Sequence, residues 1–148
     1  MADWRIRQVD ARDAAAVLAA DVFDGPAVGG AVERFLGAAG ADDPRNILLL
    51  AEIDDRAVGF ASGTVLDHPD KPRALYVQEL GVNEEARRQG IARALIAALR
   101  EAGRRRGCEV SWVLTEADNA AARATYAAAG GRETTGVVMV EWDEAGDP

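Results

Sequence analysis

The feature that most constrains the fold is an apolar strand, a basic turn, an amphipathic helix and a second apolar strand in immediate succession. ALYVQELGV (74–82) is apolar on both faces apart from two polar residues, which predicts a strand inside a sheet. Apolar residues then recur at helical spacing, which predicts a helix over about 88–106. CEVSWVLT (108–115) is again mostly apolar. This order predicts a crossover connection within one sheet.

An antiparallel sheet is predicted in front of this crossover. Its strands are WRIRQV (4–9), NILLLAEI (46–53) and AVGFASGTVL (57–66), the last two joined as a hairpin at Asp54-Asp55. Helices are predicted for 11–23, capped by Asp10, for 28–39 and for 119–130. TTGVVMVEW (134–142) is predicted as a last strand. We therefore expect an α/β fold with one mixed, mostly antiparallel sheet and helices on both faces.

Length and composition limit the class of protein. The 148 residues suit a single domain over 1–148, with 143–148 as a frayed tail. No apolar run approaches the roughly 18 residues that a membrane span needs, and the N-terminus lacks a signal-peptide pattern, so we expect a cytoplasmic protein without a membrane partner. Cys108 is the single cysteine and His68 the single histidine, so no disulfide within the chain and no metal site are expected.

The charge is distributed unevenly. Residues 87–106 hold seven arginines and one glutamate, a local charge of +6, and the total of −8 therefore leaves −14 on the rest of the chain. Such an acidic surface repels nucleic acid and favours cationic partners. The basic segment therefore needs a local anionic ligand or no ligand at all.

The turn Arg87-Arg88-Gln89-Gly90-Ile91-Ala92 has the composition of an anion site at a helix N-terminus. The first amides of a helix have no partner within it and attract anions. Gly90 and Ala92 leave the backbone approachable, and the two arginines can add charge-assisted hydrogen bonds. The alternative is an ordinary surface helix that begins with arginines. The helix dipole makes that arrangement unfavourable without an anion, although Glu84 and Glu85 offset part of the cost.

These residues carry a resemblance to a known family. Arg87-x-x-Gly90-x-Ala92 between a strand and an amphipathic helix resembles the Arg/Gln-x-x-Gly-x-Gly/Ala signature of the GNAT acetyltransferases. NAAARATYAAAG (119–130) resembles the second acetyl-CoA element of that family. The resemblance covers about 74–131. Gly131 departs from it, because many relatives have an aromatic residue there.

The resemblance implies acetyl-CoA as cosubstrate, lying in a V-shaped split between strands 74–82 and 109–115. Backbone groups of Leu80 and Val82 would pair with the pantetheine arm, and an amide at Leu80 or Gly81 could stabilise the oxyanion. The implied cofactor-binding residues are Leu80, Gly81, Val82, Arg87, Arg88, Gln89, Gly90, Ile91, Ala92, Asn119 and Tyr126.

Two residues are candidates for the chemistry of acetyl transfer to an amine. Glu79 is a carboxylate in an otherwise apolar strand, where burial would raise its pKa toward that of a useful general base. Its structural alternative is an ion pair with an arginine such as Arg73. The resemblance places the Tyr126 hydroxyl near the sulfur, where it could protonate the leaving thiolate. The alternative for Tyr126 is core packing.

The acceptor is predicted from a narrower resemblance and from charge. The central segment is similar to the aminoglycoside 3-N-acetyltransferases, TEAD (115–118) resembles their acidic segment after the strand, and ADVFDG (20–25) is more weakly similar to their first helix. An aminoglycoside is a polycation, which the acidic remainder of the chain could attract. The predicted substrate-binding residues are Asp21 and Asp24 on the first helix, Glu79, Glu116 and Asp118. Each of these acidic residues could instead be a solvated charge or a cap, as Asp118 would be for the helix at 119–130.

Three interpretations remain open on the sequence. The first is direct acetyl transfer to the 3-amino group of an aminoglycoside, which would make the protein an antibiotic-resistance enzyme. The second is a GNAT enzyme for another amine, such as a polyamine, a small metabolite or a peptide N-terminus. The third is a non-enzymatic arginine-rich helix that binds nucleic acid or protein, which conflicts with the overall acidity. Small relatives are often dimers, so a homodimer is considered, but no apolar stripe evident in the sequence decides it.

Overall fold

In the part of the chain that the structure describes, five strands form one sheet in chain order, β1-β2-β3-β4-β5. The computed structural model describes residues 3–37 and 45–146. The strands are β1 (Trp4–Val9), β2 (Asn46–Ile53), β3 (Arg56–Leu66), β4 (Ala74–Val82) and β5 (Val110–Val113). The α-helices are α1 (Ala14–Ala19), α2 (Gly29–Leu36), α3 (Ile91–Arg105) and α4 (Ala120–Ala128), and a 3₁₀ turn at Ala11–Asp13 precedes α1.

The sheet is antiparallel from β1 to β4 and parallel between β4 and β5. The β2–β3 hairpin turns at Asp54 and Asp55, whose φ angles of 50° and 63° are the left-handed backbone conformation that both central residues of a tight two-residue hairpin turn adopt. The fold class predicted from the sequence is therefore confirmed.

Two hydrophobic clusters lie on opposite faces of the sheet. One contains buried side chains of β2, β3 and β4 packed on Ile91, Leu95 and Leu99 of α3. The other contains Val17 and Val32 of α1 and α2, packed on alternate residues of β2 and on Phe60. Successive strand residues point to opposite faces, so the continuous apolar run of β2 supplies both clusters. The helices on both faces, predicted from element order, are confirmed.

The first predicted helix is shorter than expected. Asp10 and Asp13 form a reciprocal capping box, but it starts a 3₁₀ turn, and α1 ends at Ala19 instead of about 23. Residues 20–28 form a loop. Val22 and Phe23 pack into the hydrophobic cluster that α1 and α2 form with β2, and this packing replaces the next turn of the predicted helix. The prediction that Asp21 and Asp24 lie on the first helix is therefore wrong. Part of the second predicted helix, 38–39, lies outside the described residues.

The last predicted strand is also wrong. Residues 134–142 pair with no strand in the part of the chain that the structure describes, although their pattern fits a sheet. Their side chains are exposed, and Val138 is 78% accessible. The pattern of side chains indicates that a segment is suited to a strand. It does not indicate whether a sheet has a free edge with which that strand can pair. Residues 144–146 form a turn, and 147–148 lie outside the described residues.

None of the helices in 3–37 and 45–146 combines the length and the apolar character that a bilayer crossing requires.

Candidate active site

The sheet opens where β4 and β5 diverge. Their parallel pairing runs from Ala74 with Val110 to Val77 with Val113, while β4 continues to Val82 beside β3. The Asn83 amide donates to the Val58 carbonyl on the β3 side. Because hydrogen-bonding direction alternates along an antiparallel strand, the backbone groups of Leu80 and Val82 face the other, open edge. The split therefore presents backbone donors and acceptors on one wall.

The turn that follows this wall is shaped as an anion-binding nest. Arg88 and Gly90 both have left-handed backbone conformations, with φ of 65° and 81°. Gly90 is the N-cap of α3 and provides no side-chain cap, so the first amides of the helix are left for another acceptor. A Cβ at Gly90 would meet no atom within 4 Å, so the space above it is open. Turns of this shape and helix N-termini both favour anions.

The side chains of the turn have different roles. Arg87 folds back, and its Nε donates to the Val82 carbonyl at 3.1 Å, which ties the turn to the end of β4. Arg88 is exposed. The Oε1 atom of Gln89 is buried without a hydrogen-bond partner, so the turn contains an unused acceptor. The helix starts at Ile91 instead of 88, because the two left-handed residues cannot continue an α-helix.

A β-bulge shapes the other side of β4. The register shifts between Ser62 and Gly63, which pair with Glu79 and Val77, so Gln78 is an extra residue. Neighbouring residues of a regular strand point to opposite faces, but at a bulge this alternation is disrupted. Gln78 and Glu79 both line a cavity of about 290 Å³ between the sheet and the α1–α2 region. Gln78 is held there by Thr64, whose hydroxyl accepts from Gln78 Nε2 at 2.7 Å.

The cavity is mainly apolar. Its polar lining consists of Ser62, Gln78 and Glu79, and its apolar wall includes Val17, Phe23, Phe35, Phe60 and Leu48. Phe23 and Phe60 contact each other edge to face, with ring centroids 4.6 Å apart. Sequence reasoning assigned no role to these aromatic residues. A signal was available, since the loop and helix predicted beside Glu79 carry Phe23 and Phe35.

The side chain of Glu79 makes no hydrogen bond or ion pair with any residue in the described ranges, so the arginine partner considered from the sequence is absent there. Arg73 donates instead to Asp67 and to the Arg106 carbonyl. Glu79 is accessible to solvent, yet partial burial raises its pKa, and the nearby carboxylate of Asp24 raises it further. Both causes disfavour the charged form, so the deprotonated carboxylate is a stronger base than that of an ordinary glutamate.

Tyr126 lies on α4, and Asn119 lies at the start of that helix. Tyr126 is half-buried against the core cluster of α3, and burial raises the pKa of its hydroxyl. Asn119 is the N-cap of α4, where its Oδ1 accepts from the Ala122 amide at 3.1 Å. The cap suggested for Asp118 is therefore supplied by Asn119. Cys108 is buried, as expected for a packing residue.

The predicted acidic substrate residues are only partly brought together. Asp24 lies close enough to Glu79 to influence its pKa. The carbonyl of Asp21 accepts from Asn83 Nδ2 at 2.9 Å, which anchors the 20–28 loop over the end of β4. Glu116 and Asp118 are exposed in the β5–α4 connection and do not line the cavity. Within the described ranges, no three His, Cys, Asp or Glu side chains group in a way that could hold a metal ion.

Comparison with known proteins decides the family. Residues 17–130 match the model of the acetyltransferase (GNAT) family. The chain belongs to the GNAT family. It is thus an acetyl-CoA-dependent N-acetyltransferase, in agreement with the coarser part of the sequence prediction. No curated protein sequence matches this GNAT chain.

Solved structures share the fold at low sequence identity. A soil-metagenome aminoglycoside acetyltransferase, HMB0005, has 24% identity and a TM-score of 0.77, with 95% of this chain and 99% of that chain covered. AAC(6')-Iy, solved with a bisubstrate analogue of CoA and acetylneamine, has 21% identity, the same TM-score and the same coverage. A ribosomal-protein-alanine N-acetyltransferase from Brucella melitensis biovar Abortus 2308 has 21% identity and a TM-score of 0.71, covering 95% and 100%. At these identities the likeness establishes the GNAT fold and leaves the acceptor open.

Proposed function

We propose that this GNAT protein transfers the acetyl group of acetyl-CoA directly to a primary amine, with Glu79 as general base. The observation that carries the proposal is the carboxylate of Glu79, which has no ion-pair partner in the described ranges, lines the cavity and has a raised pKa. A carboxylate with a raised pKa is a stronger base, and it can accept the proton that the amine loses as it attacks the thioester.

The split and the turn fit acetyl-CoA. The pyrophosphate would accept hydrogen bonds from amides of residues 88–92, where the open space at Gly90 admits it. The pantetheine arm would pair with backbone groups of Leu80 and Val82 on the open edge. Arg87 already binds the Val82 carbonyl, so we assign the exposed Arg88 the larger share of the charge-assisted contacts.

The reaction is a single displacement at the thioester. The amine nitrogen forms a bond to the acetyl carbon, and the carbon–sulfur bond breaks. The proton lost by nitrogen goes to Glu79, and the thiolate of CoA takes a proton from the Tyr126 hydroxyl. Burial keeps that hydroxyl protonated at neutral pH, as a proton donor requires. An amide of Leu80 or Gly81 would stabilise the oxyanion.

The first acceptor to test is an aminoglycoside, with its 3-amino group as the predicted position. The charge of −14 outside residues 87–106 attracts a polycation, and Asp24 beside Glu79 adds negative charge at the site. Aminoglycoside acetyltransferases among the solved GNAT structures support the acceptor class. They do not support the 3-amino position, since the name AAC(6')-Iy marks a different position. Analysis of the product must therefore distinguish acetylation of the 3-amino group from acetylation at the position that this name marks.

The cavity favours a second candidate, an amine attached to an apolar or aromatic group. Phe23, Phe35 and Phe60 in the wall would bury such a group, while Glu79 receives the amine. A hydroxyl-rich sugar would leave polar groups unpaired against the same wall. This candidate belongs to the wider class of small-molecule GNAT acceptors.

Thiol release from acetyl-CoA tests both candidates. The panel contains gentamicin, sisomicin, spermidine, 2-phenylethylamine and a peptide with a free N-terminus, and NMR of the product gives the acetylated position. Turnover of an aminoglycoside but not of 2-phenylethylamine supports the first candidate, and the reverse supports the second. Glu79→Gln should abolish most turnover with the active amine while acetyl-CoA affinity is retained. If none of these amines increases the release of thiol from acetyl-CoA, the proposed acceptors are refuted.

A further inference from the structure

A chain of three hydrogen bonds runs from α2 across the sheet to the cavity beside Glu79. Asn46 Nδ2 donates to the Phe35 carbonyl at 3.1 Å, and the Thr64 hydroxyl donates to Asn46 Oδ1 at 2.8 Å. Gln78 Nε2 donates in turn to Thr64 Oγ1 at 2.7 Å. Asn46 and Thr64 are direct partners across β2 and β3, so the register of the sheet brings them together. The chain therefore joins Phe35 to Gln78, and both of these residues line the cavity.

The direction of every bond in this chain is fixed by the carbonyl at its start. Phe35 lies in the last turn of α2, where carbonyls have no partner within the helix. A carbonyl can only accept, so Asn46 presents its NH₂ group to Phe35 and its Oδ1 to Thr64. The Thr64 hydroxyl has one proton, which it donates to Asn46, so toward Gln78 it can only accept. Gln78 must therefore turn its NH₂ group to Thr64 and its Oε1 away from it.

The Oε1 atom of Gln78 is consequently an acceptor that is held in place without a partner in the described ranges. The β-bulge brings Gln78 to the same cavity as Glu79, whose carboxylate is also unpaired within those ranges. Once Glu79 is ionised, these two neighbouring side chains offer acceptors and no free donor. An amine or ammonium group has at least two N–H protons for a pair of acceptors, whereas a hydroxyl has only one.

We propose that Gln78 is a specificity-determining residue, because its Oε1 accepts one N–H of the amine whose other proton goes to Glu79. Thr64 and Asn46 are positioning residues that act through Gln78. This inference rests on the proposed function, since it concerns the amine that Glu79 deprotonates. It applies to both acceptor candidates, because both present the same reacting group. Two acceptors side by side favour transfer to nitrogen over transfer to oxygen, including the hydroxyl groups of an aminoglycoside.

Binding of an amine to the protein–CoA complex separates recognition from the chemical step. Isothermal titration calorimetry in the presence of CoA gives the Kd of sisomicin and of 2-phenylethylamine without turnover. 2-Phenylethanol is the matched control ligand, because it has the same ring but only one proton to donate. Gln78→Met keeps the length of the side chain and removes both amide atoms. It should raise the Kd of the amine about 10-fold or more and that of 2-phenylethanol by less than about 2-fold, with unchanged affinity for CoA.

A matched pair of variants at Thr64 tests the positioning role. Thr64→Val keeps the shape of the side chain but removes the hydroxyl, so Gln78 must be ordered when the amine binds. The Kd of the amine should therefore rise roughly 3- to 10-fold. Thr64→Ser retains the hydroxyl and should restore the affinity to within about 2-fold of the wild-type value. Because Thr64 acts through Gln78, the double variant Thr64→Val with Gln78→Met should bind the amine as weakly as Gln78→Met alone.

The outcomes distinguish this inference from the proposed function. Circular dichroism verifies that the variants are folded, and the exposed position of Gln78 keeps Gln78→Met informative even if Thr64→Val does not fold. Thiol release by the wild-type protein together with unchanged amine affinity in Gln78→Met would overturn the role of Gln78 and leave the proposed function intact. An equal loss of 2-phenylethanol binding would also overturn it, because that loss reports damage to the cavity.

The Thr64 variants can overturn the positioning role separately. Effects that multiply in the double variant, or Thr64→Ser binding as weakly as Thr64→Val, would show that Thr64 does not act through Gln78. Amine binding that weakens as expected in Gln78→Met, without thiol release by the wild-type protein, would support recognition by Gln78 and refute acetyl transfer to that amine. If the wild-type protein binds neither amine, both the inference and the proposed acceptors fail.

Discussion

Gly90→Ala tests the anion site, and the chain contains a matched control for it. Gly90 and Gly107 lie at opposite ends of α3, with φ of 81° and 83°. A Cβ at either position would meet no protein atom within 4 Å. Both substitutions therefore introduce the same backbone strain and no steric clash within the protein. They differ in one respect, since the space above Gly90 is the predicted pyrophosphate site.

The expected magnitudes follow from this geometry. An L-residue in the left-handed region costs about 1–2 kcal/mol, so each variant should lose about that much free energy of unfolding. For a chain of this length such a loss lowers Tm by about 2–8 °C. At Gly90 the new methyl group also displaces the phosphate from at least one amide. A lost hydrogen bond to a charged group costs about 1.5–3 kcal/mol, which raises the Kd of acetyl-CoA by roughly 10- to 150-fold.

Urea denaturation and isothermal titration calorimetry separate the two effects. Both variants should show similar losses of stability, while acetyl-CoA affinity should fall only in Gly90→Ala. Unchanged affinity in Gly90→Ala would refute the assignment of the turn as the pyrophosphate site. An equal loss of affinity in Gly107→Ala would show that backbone strain, and not occupation of the site, weakens binding.

Four further predictions concern the proposed proton transfers and the fold. Glu79→Gln should remove the acidic limb from the pH dependence of kcat/KM; because the raised pKa must be exceeded before Glu79 can accept a proton, this limb should lie above the range of an ordinary glutamate. The same raised pKa means that the charged carboxylate destabilises the folded state as pH rises past the unfolded pKa of Glu79, so Glu79→Gln should gain stability at pH 7 but not at pH 3, as measured by urea denaturation. Tyr126→Phe should lower kcat several-fold and leave Tm almost unchanged, since the ring still packs on the α3 cluster; full activity would restrict Tyr126 to packing. Glu52→Ala should lose about 1–3 kcal/mol of unfolding free energy, because it removes the buried carboxylate that lies 2.7 Å from Arg7. Asp55→Ala removes an exposed ion pair and should change the unfolding free energy by less than about 0.5 kcal/mol.

Local pattern was sufficient for most of the sheet. The bounds of β1, β2 and β4 agree with the predicted ranges, because alternation and β-branched residues act on each strand separately. The hairpin at Asp54-Asp55 was predicted because aspartate tolerates the left-handed conformation that a short turn needs. The basic turn could be recognised for a similar reason, because its arginines and its glycine are neighbours along the chain and directly precede a helix.

Tertiary structure decided where the elements end and what they face. α1 stops at Ala19 because Val22 and Phe23 pack on the sheet, and a helical pattern cannot anticipate that contact. Residues 134–142 have a strand pattern but no strand partner in the described chain, since pairing depends on a sheet edge that is distant in sequence.

The candidate site shows the same division. From the sequence, Glu79 could be singled out as a carboxylate in an apolar strand, and this follows from residue type and spacing alone. The sequence did not indicate that a bulge at Gln78 brings two neighbouring side chains to one cavity, nor that Phe23, Phe35 and Phe60 form its wall. Those facts depend on register between strands and on packing between segments far apart in the chain. The sequence by itself indicated the family and placed a glycine and two arginines at the start of a helix, whereas the shape and polarity of the cavity beside Glu79 arise only when the sheet and the α1–α2 region pack together.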